Sequence, residues 1–312
     1  MKISVCILCY NHEKYIGDCL SSVVGQQVQA DLEVFVGDDC SSDRSREIIA
    51  DYAQKFPDLI YPVFQEKNIG STKNYQSLIR RTTGDFIAFM DGDDFWFPGK
   101  LAYQLDFLGL NEECVAVYTN AIVISDSGEL SGKFNGNIPP RFDLDFLVKE
   151  GDFLNASSVM YRNRCKSSFL QTDILFDYHR NILLASHGTI GYISRSLVAY
   201  RHSLTSIQLR EPKKVKELYW KSVMLAEKAG ANRQILRQYM VKYLKSVFFN
   251  AIINKDWNQF RNWQRKVDES GLSQAYILLS MVANAPMFYL KLLWKIIRNR
   301  LCNCSVMVFY NR

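Results

Sequence analysis

With 312 residues, 48% of them apolar and 22% charged, the chain has the length and the apolar content for about two packed domains, which excludes a disordered tail, a collagen and a disulfide mini-scaffold. Eight cysteines are too few for a disulfide framework, and Met1 runs into Ile3, Val5 and Ile7 without a leader pattern, so a reducing, cytosolic setting is expected. The net charge of +6 divides unevenly: residues 1–205 carry 19 Lys and Arg against 26 Asp and Glu, a net of −7, and residues 206–312 carry 19 against 6, a net of +13.

Short apolar runs alternate with helical patterns through the first third of the chain. The spacing predicts strands at 3–9, 32–37, 59–64 and 85–90, separated by helices at 13–25, 43–55 and 71–82. That rhythm belongs to an α/β fold with a mostly parallel sheet covered by helices on both faces. Ile3 to Leu8 and Phe86 to Met90 are too continuously apolar for a half-wet strand, so they belong in the sheet interior. Ligands are then expected at the strands' carboxyl ends. Ser42 and Asp43 are placed to cap the second helix, and Pro98-Gly99-Lys100-Leu101 opens another. From 114 to 205 the pattern is mixed: strands at 114–118, 156–161, 190–194 and 197–201, a Gly-rich stretch at 128–140, and a helix near 173–186. Leu, Ile, Tyr and Trp at three- and four-residue spacing then run from 213 to about 300, which divides the chain into 1–205 and a helical region, 206–312.

The sharpest chemical signal is Asp91-Gly92-Asp93-Asp94, directly after a buried strand. Carboxylates this close repel one another unless a cation joins them, and oxygen ligands at this spacing suit Mg²⁺ or Mn²⁺. The plainer alternative is an acidic turn, which Asp and Gly favour in any case. Asp38-Asp39-Cys40-Ser41-Ser42-Asp43 follows the second strand, and Cys9-Tyr10-Asn11-His12-Glu13 follows the first. Three successive strand ends thus direct polar groups to one cleft.

Taken in order with Asn68-x-Gly70, Asp91 to Trp96 and Lys100-Leu101-x-x-Gln104, these segments resemble glycosyltransferase family 2, inverting nucleotide-sugar enzymes of GT-A fold, over about residues 1–205. The resemblance implies a GT-A-type sheet flanked by helices. It also implies that Cys9, Tyr10, Asn11 and Glu13, with Asp38 or Asp39 on the base, hold the nucleoside. Asn68, Lys73 and Asn74 fall in the next donor segment, where Thr72-Lys73-Asn74 stands for the family's usual Ala-Arg-Asn; a Lys keeps the charge but not the planar fork. The family's DxD motif, which binds a divalent cation and the diphosphate, falls on Asp91, Gly92 and Asp93. Arg201 and His202 match a closing Tyr-Arg-x-His stretch near diphosphate and metal, which makes His202 a further metal ligand candidate.

Asp177, in Phe176-Asp177-Tyr178, matches the segment of the family's catalytic base, with Asp173 four residues earlier as its rival. Asn155, Ser157 and Ser158 match the acceptor side. The implied activity is transfer of a sugar from a nucleotide donor, with UDP the expected nucleotide, to a carbohydrate or lipid-linked acceptor in surface polysaccharide assembly. Two rivals stay open: a haloacid-dehalogenase-type phosphatase, whose acid pair usually follows the first strand, and a non-catalytic nucleotide-sugar-binding membrane adaptor.

Cys6 and Cys9 have CxxC spacing but lie on a strand, so they read as buried thiols. In the tail, Lys291, Lys295 and Arg298 line one helical face opposite Tyr289, Leu292, Leu293 and Ile296. The apolar stretch 275–290 is shorter than the ~20 residues a membrane span needs. Peripheral attachment to the anionic inner face of the cell membrane is therefore expected, with packing on protein, including a second subunit, as the alternative and no nucleic acid partner. Cys302 and Cys304 are candidates for lipidation.

Overall fold

The computed structural model describes residues 1–174, 176–202, 212–254, 257–272 and 307–310. Four strands, β1 (Lys2–Cys9), β2 (Asp31–Asp38), β3 (Ile60–Phe64) and β4 (Phe86–Asp91), pair in parallel in the order β3-β2-β1-β4. The helices between them, α1 (Ile16–Val24), α2 (Ser45–Lys55) and α3 (Ser71–Ile79), cover the two faces. Side chains alternate as strand geometry requires: Ile3, Val5 and Ile7 pack with Ile16, Leu20 and Ile49 in one core, and Cys6 joins Tyr75, Leu78 and Ile79 in the other.

Beyond β4 the sheet becomes mixed. β5 (Phe95–Trp96) and α4 (Lys100–Leu110) precede β6 (Cys114–Ile124), β7 (Leu130–Asn135), β8 (Arg141–Phe142), α5 (Leu144–Glu150) and β9 (Met160–Arg162). β9 sits antiparallel between β4 and β6. Then come α6 (Lys166–Leu170), α7 (Asp177–Ala185) and β10 (Thr189–Arg201), a long strand parallel to β6 and antiparallel to β5 and β8. The helices α8 (Pro212–Lys228), α9 (Arg233–Asn254) and α10 (Trp257–Glu269) follow, and β11 (Met307–Tyr310) pairs with β7. Val223, Leu236, Met240, Leu244 and Val267 from these helices share a core with Leu147, Tyr178 and Ile182 of α5 and α7.

Several expected boundaries shift, each for a local reason. The strands expected at 190–194 and 197–201 are one strand, whose register shifts between Ile193 and Ser196 and between Ser196 and Val198, a bulge that the pattern had shown as a gap. Residues 156–158 form a 3-10 turn, leaving only Met160–Arg162 extended. α7 begins at Asp177 instead of 173, because the Thr172 hydroxyl bonds the backbone of Ile174 and stabilises a non-helical turn. At α2 the expected cap takes another form: Arg44 holds the N-cap position, and Asp43 accepts the Ser45 N–H at 2.9 Å.

The boundary expected near residue 205, together with the stretch 275–290, the Lys291-Lys295-Arg298 face and Cys302 and Cys304, lies outside the described residues. Among the described residues no helix is long and apolar enough to cross a membrane.

Candidate functional site

Parallel pairing brings the ends of β1, β2 and β4 to one edge, with Cys9 opposite Asp38 and Leu8 opposite Asp91. A cleft of about 260 Å³ opens there, lined by Leu8, Cys9, Tyr10, His12, Asp39, Asn68, Gly70, Ser71, Asn74 and Asp91. Seven of the expected donor-site residues, Cys9, Tyr10, Asp39, Asn68, Asn74, Asp91 and the adjoining Gly92, are thereby brought together.

The two aspartates after β2 have different tasks. Asp38 is fully buried, paired with Arg46 at 3.1 Å and bonded to the Ser41 N–H, so it braces the turn. Asp39 lines the cleft, and its two oxygens accept the N–H groups of Ile69 and Gly70 at 2.8 and 2.9 Å. Asn74 donates to the Gly37 carbonyl at 2.8 Å, and a Cβ on Gly37 would lie 2.5 Å from Asn74 Oδ1, so a side chain there would displace Asn74.

Asn11 and Glu13 brace one loop against another. The Asn11 N–H donates to Ser41 Oγ, Asn11 Oδ1 accepts the Ser42 N–H, and Glu13 Oε2 accepts the Arg44 N–H, all within 3.0 Å. Asn11 adopts φ 56°, a left-handed conformation that Asn tolerates better than most residues. Lys73 is exposed and is not among the residues lining the cleft.

The acidic turn is built around Asp94, which is 2% exposed. Its Oδ1 accepts the Arg201 N–H at 2.8 Å and its Oδ2 accepts the Ser157 hydroxyl at 2.5 Å. Ser157 Oγ in turn accepts the Asp91 N–H at 3.0 Å. The Arg201 guanidinium lies 4.3 Å from the Tyr15 ring centre and donates to the Asp93, Ser125 and Asp126 carbonyls. Gly92 packs on β1, donating its N–H to the Leu8 carbonyl at 2.7 Å.

The other expected residues make contacts of their own. Ser157 and Ser158 are fully buried: the Ser157 carbonyl accepts from Trp96 Nε1, and the Ser158 carbonyl from Gln104 Nε2, so both support the turn. Asn155 is also buried, with Oδ1 lacking a hydrogen-bond partner. Arg201 grips the backbone beneath the acids and is 6% exposed. Among the described residues no group of three His, Cys, Asp or Glu is arranged to hold a metal. His202 is exposed, its N–H on the Ile124 carbonyl and its ring against Tyr200.

Asp91 and Asp93 nevertheless fit a hard cation as a pair. Neither has an ion-pair partner among the described residues. Burial, then the negative charges of Asp93 and Asp177, push the Asp91 carboxyl well above the usual carboxylate range, with Arg180 opposing. A divalent ion would relieve that repulsion.

Asp177 opens α7 and is about half exposed. Asp173 does not share its helical face. It precedes the helix and lines a separate cavity of about 780 Å³ with Trp220, Lys221 and Lys228. Two residues of the site had been given no role by sequence reasoning. His12 lines the cleft, with Nδ1 buried and without a hydrogen-bond partner. Arg180 is buried beneath Asp177, and an arginine three residues after an acid in the helix's first turn was the available signal.

The family model described as Glycosyl transferase family 2 matches residues 4–164. An uncharacterized Mycobacterium tuberculosis protein is 29% identical over 206 residues, 64% of this chain, and the chain spans 58% of that relative's length. The putative teichuronic acid biosynthesis glycosyltransferase TuaG of Bacillus subtilis is 33% identical over 132 residues, covering 42% of this chain and 51% of its own. Among solved structures, Staphylococcus aureus TarS in complex with UDP-GlcNAc shares the fold at a TM-score of 0.66 and 20% identity, over 84% of this chain and 79% of that one. The expected GT-A-type α/β architecture is thus present.

Proposed function

The chain belongs to glycosyl transferase family 2, and from that premise we propose that it moves a sugar from a nucleotide-diphosphate donor, UDP-linked, onto a hydroxyl of a carbohydrate or lipid-linked acceptor, with inversion. The observation that carries this reading is the strand-end cleft lined by Asp39 and Asp91, with Asp91 within the fields of Asp93 and Asp177. The UDP-GlcNAc bound by TarS supports the donor class, and TuaG supports a setting in surface polysaccharide synthesis.

Asp39, at the cleft wall, takes the base end of the donor, with Tyr10 and Asn68 beside it. Asp91 and Asp93 would hold Mn²⁺ or Mg²⁺, which when bound offsets the charge that builds on the leaving diphosphate. Gly92, lacking a side chain, lets the acid turn lie close on β1. Asp177 accepts the proton of the attacking hydroxyl, a step that needs one carboxylate within hydrogen-bond reach of the acceptor. The net +13 of residues 206–312 supports attachment to an anionic membrane surface at the cytosolic face.

The test is nucleoside diphosphate release from a panel of UDP-, GDP- and dTDP-sugars with Mn²⁺, water serving as acceptor. Release is expected from a UDP-sugar, with Asp93→Ala and Asp177→Asn each lowering turnover at least about a hundredfold, the melting temperature of Asp93→Ala staying near wild type. No release from any donor, or full activity in Asp93→Ala, overturns the reading.

A further inference from the structure

Arg180 follows Asp177 by three residues on α7, and its Nη2 donates to Asp177 Oδ1 at 3.2 Å. The pair is asymmetric: the Arg180 side chain is 2% exposed and that of Asp177 48%. The guanidinium lies 4.4 Å from the centre of the Phe89 ring, within the fields of Tyr75, Tyr118 and Asp91, and its Nε has no hydrogen-bond partner. A guanidinium keeps its charge at any working pH, so one buried in this way needs an acid nearby. Among the described residues its ion-pair partner is Asp177.

An exposed first-turn aspartate normally samples several rotamers, and a surface ion pair seldom holds it, because both side chains move. Here one partner is restrained, since Arg180 is buried with its guanidinium over the Phe89 ring. The acid therefore pairs with a restrained donor and retains one oxygen for another partner.

We propose that Arg180 is a positioning residue for the transfer reaction: it clamps Oδ1 of Asp177 and so directs the second carboxylate oxygen toward the acceptor hydroxyl. The inference rests on the reading of Asp177 as the base, and the experiment separates the two. Nucleoside diphosphate release from the UDP-sugar that turns over is measured with the full chain and Mn²⁺, for Arg180→Gln, Arg180→Lys, Asp177→Asn and the double variant Asp177→Asn with Arg180→Gln. Arg180→Gln is expected to lower kcat about a hundredfold, and Arg180→Lys about tenfold, with donor KM within about threefold of wild type.

In the Asp177→Asn background, Arg180→Gln is expected to lower kcat by less than about threefold more, because a residue that acts through another contributes little once that one is gone. Losses that multiply in the double variant, or a raised KM with kcat unchanged, would overturn the proposal. If Arg180→Gln loses its cooperative melt, Arg180→Lys decides: wild-type kcat in that variant overturns it, and a tenfold loss with unchanged melting and KM supports it. An Asp177→Asn enzyme with full turnover would instead sink the assignment of the base.

Discussion

Ser157 and Asp94, 63 residues apart in the chain, meet through a 2.5 Å hydrogen bond at the centre of the acid turn. The same serine hydroxyl receives the Asp91 N–H, so one side chain links the end of β4 to a buried carboxylate. Ser157→Ala removes the donor to Asp94 and the acceptor for Asp91 together. Burial, then the charges of Asp93 and Asp91, already push the Asp94 carboxyl well above its ordinary range. The expected cost is about 1.5–3 kcal/mol, the scale of a hydrogen bond to a charged group. Denaturant melts measure it, and a midpoint equal to wild type would show that the bridge contributes nothing.

Gly92 is needed for space. A Cβ there would lie 2.8 Å from the Leu8 carbonyl oxygen and 3.0 Å from His12 Nδ1. Backbone cannot give way as a side-chain tip can, so Gly92→Ala is expected to lift the acid turn off β1. The prediction is a stability loss of about 1–3 kcal/mol with at least about tenfold weaker Mn²⁺-dependent UDP binding by calorimetry. Wild-type UDP affinity in this variant would count against the turn's place in the donor site.

Asp39 and Asp38 are expected to separate experimentally. Asp39→Asn leaves one of the Ile69 and Gly70 N–H groups without an acceptor and alters the cleft wall, so UDP affinity is predicted to fall at least about tenfold. Asp38→Asn loses the Arg46 ion pair in a buried turn and is predicted to lower stability more than UDP affinity. Reversed results would transfer the base contact to Asp38.

Away from the site, Glu33 accepts from Ser4, Thr83 and Lys2 at the opposite end of β2. Although burial pulls the other way, the Lys2 ammonium and these hydroxyl and N–H donors hold its carboxyl down at about 2. A folded-state value below the unfolded one stabilises above the ordinary glutamate range, and that stabilisation is lost as pH falls toward 2. A depression of this size corresponds to about 3 kcal/mol. The gap in unfolding free energy between wild type and Glu33→Gln should therefore shrink from pH 7 to pH 3; a constant gap would refute the linkage.

Apolar runs of five to eight residues with helical spacing between them were enough to establish the four parallel strands and to bring Cys9, Asp39 and Asp91 to one edge, because strands that all run one way end on one side. Those choices depend on neighbours a few residues away, which a linear pattern records. Side-chain partners depend on chain segments that only packing brings together. Arg201 reaches Asp94 across 107 residues and Ser157 reaches Asp91 across 66, bonds that no stretch of the chain displays. Burial, which no single segment reveals, likewise turned Arg180 from one more helical cation into the restrained partner of Asp177.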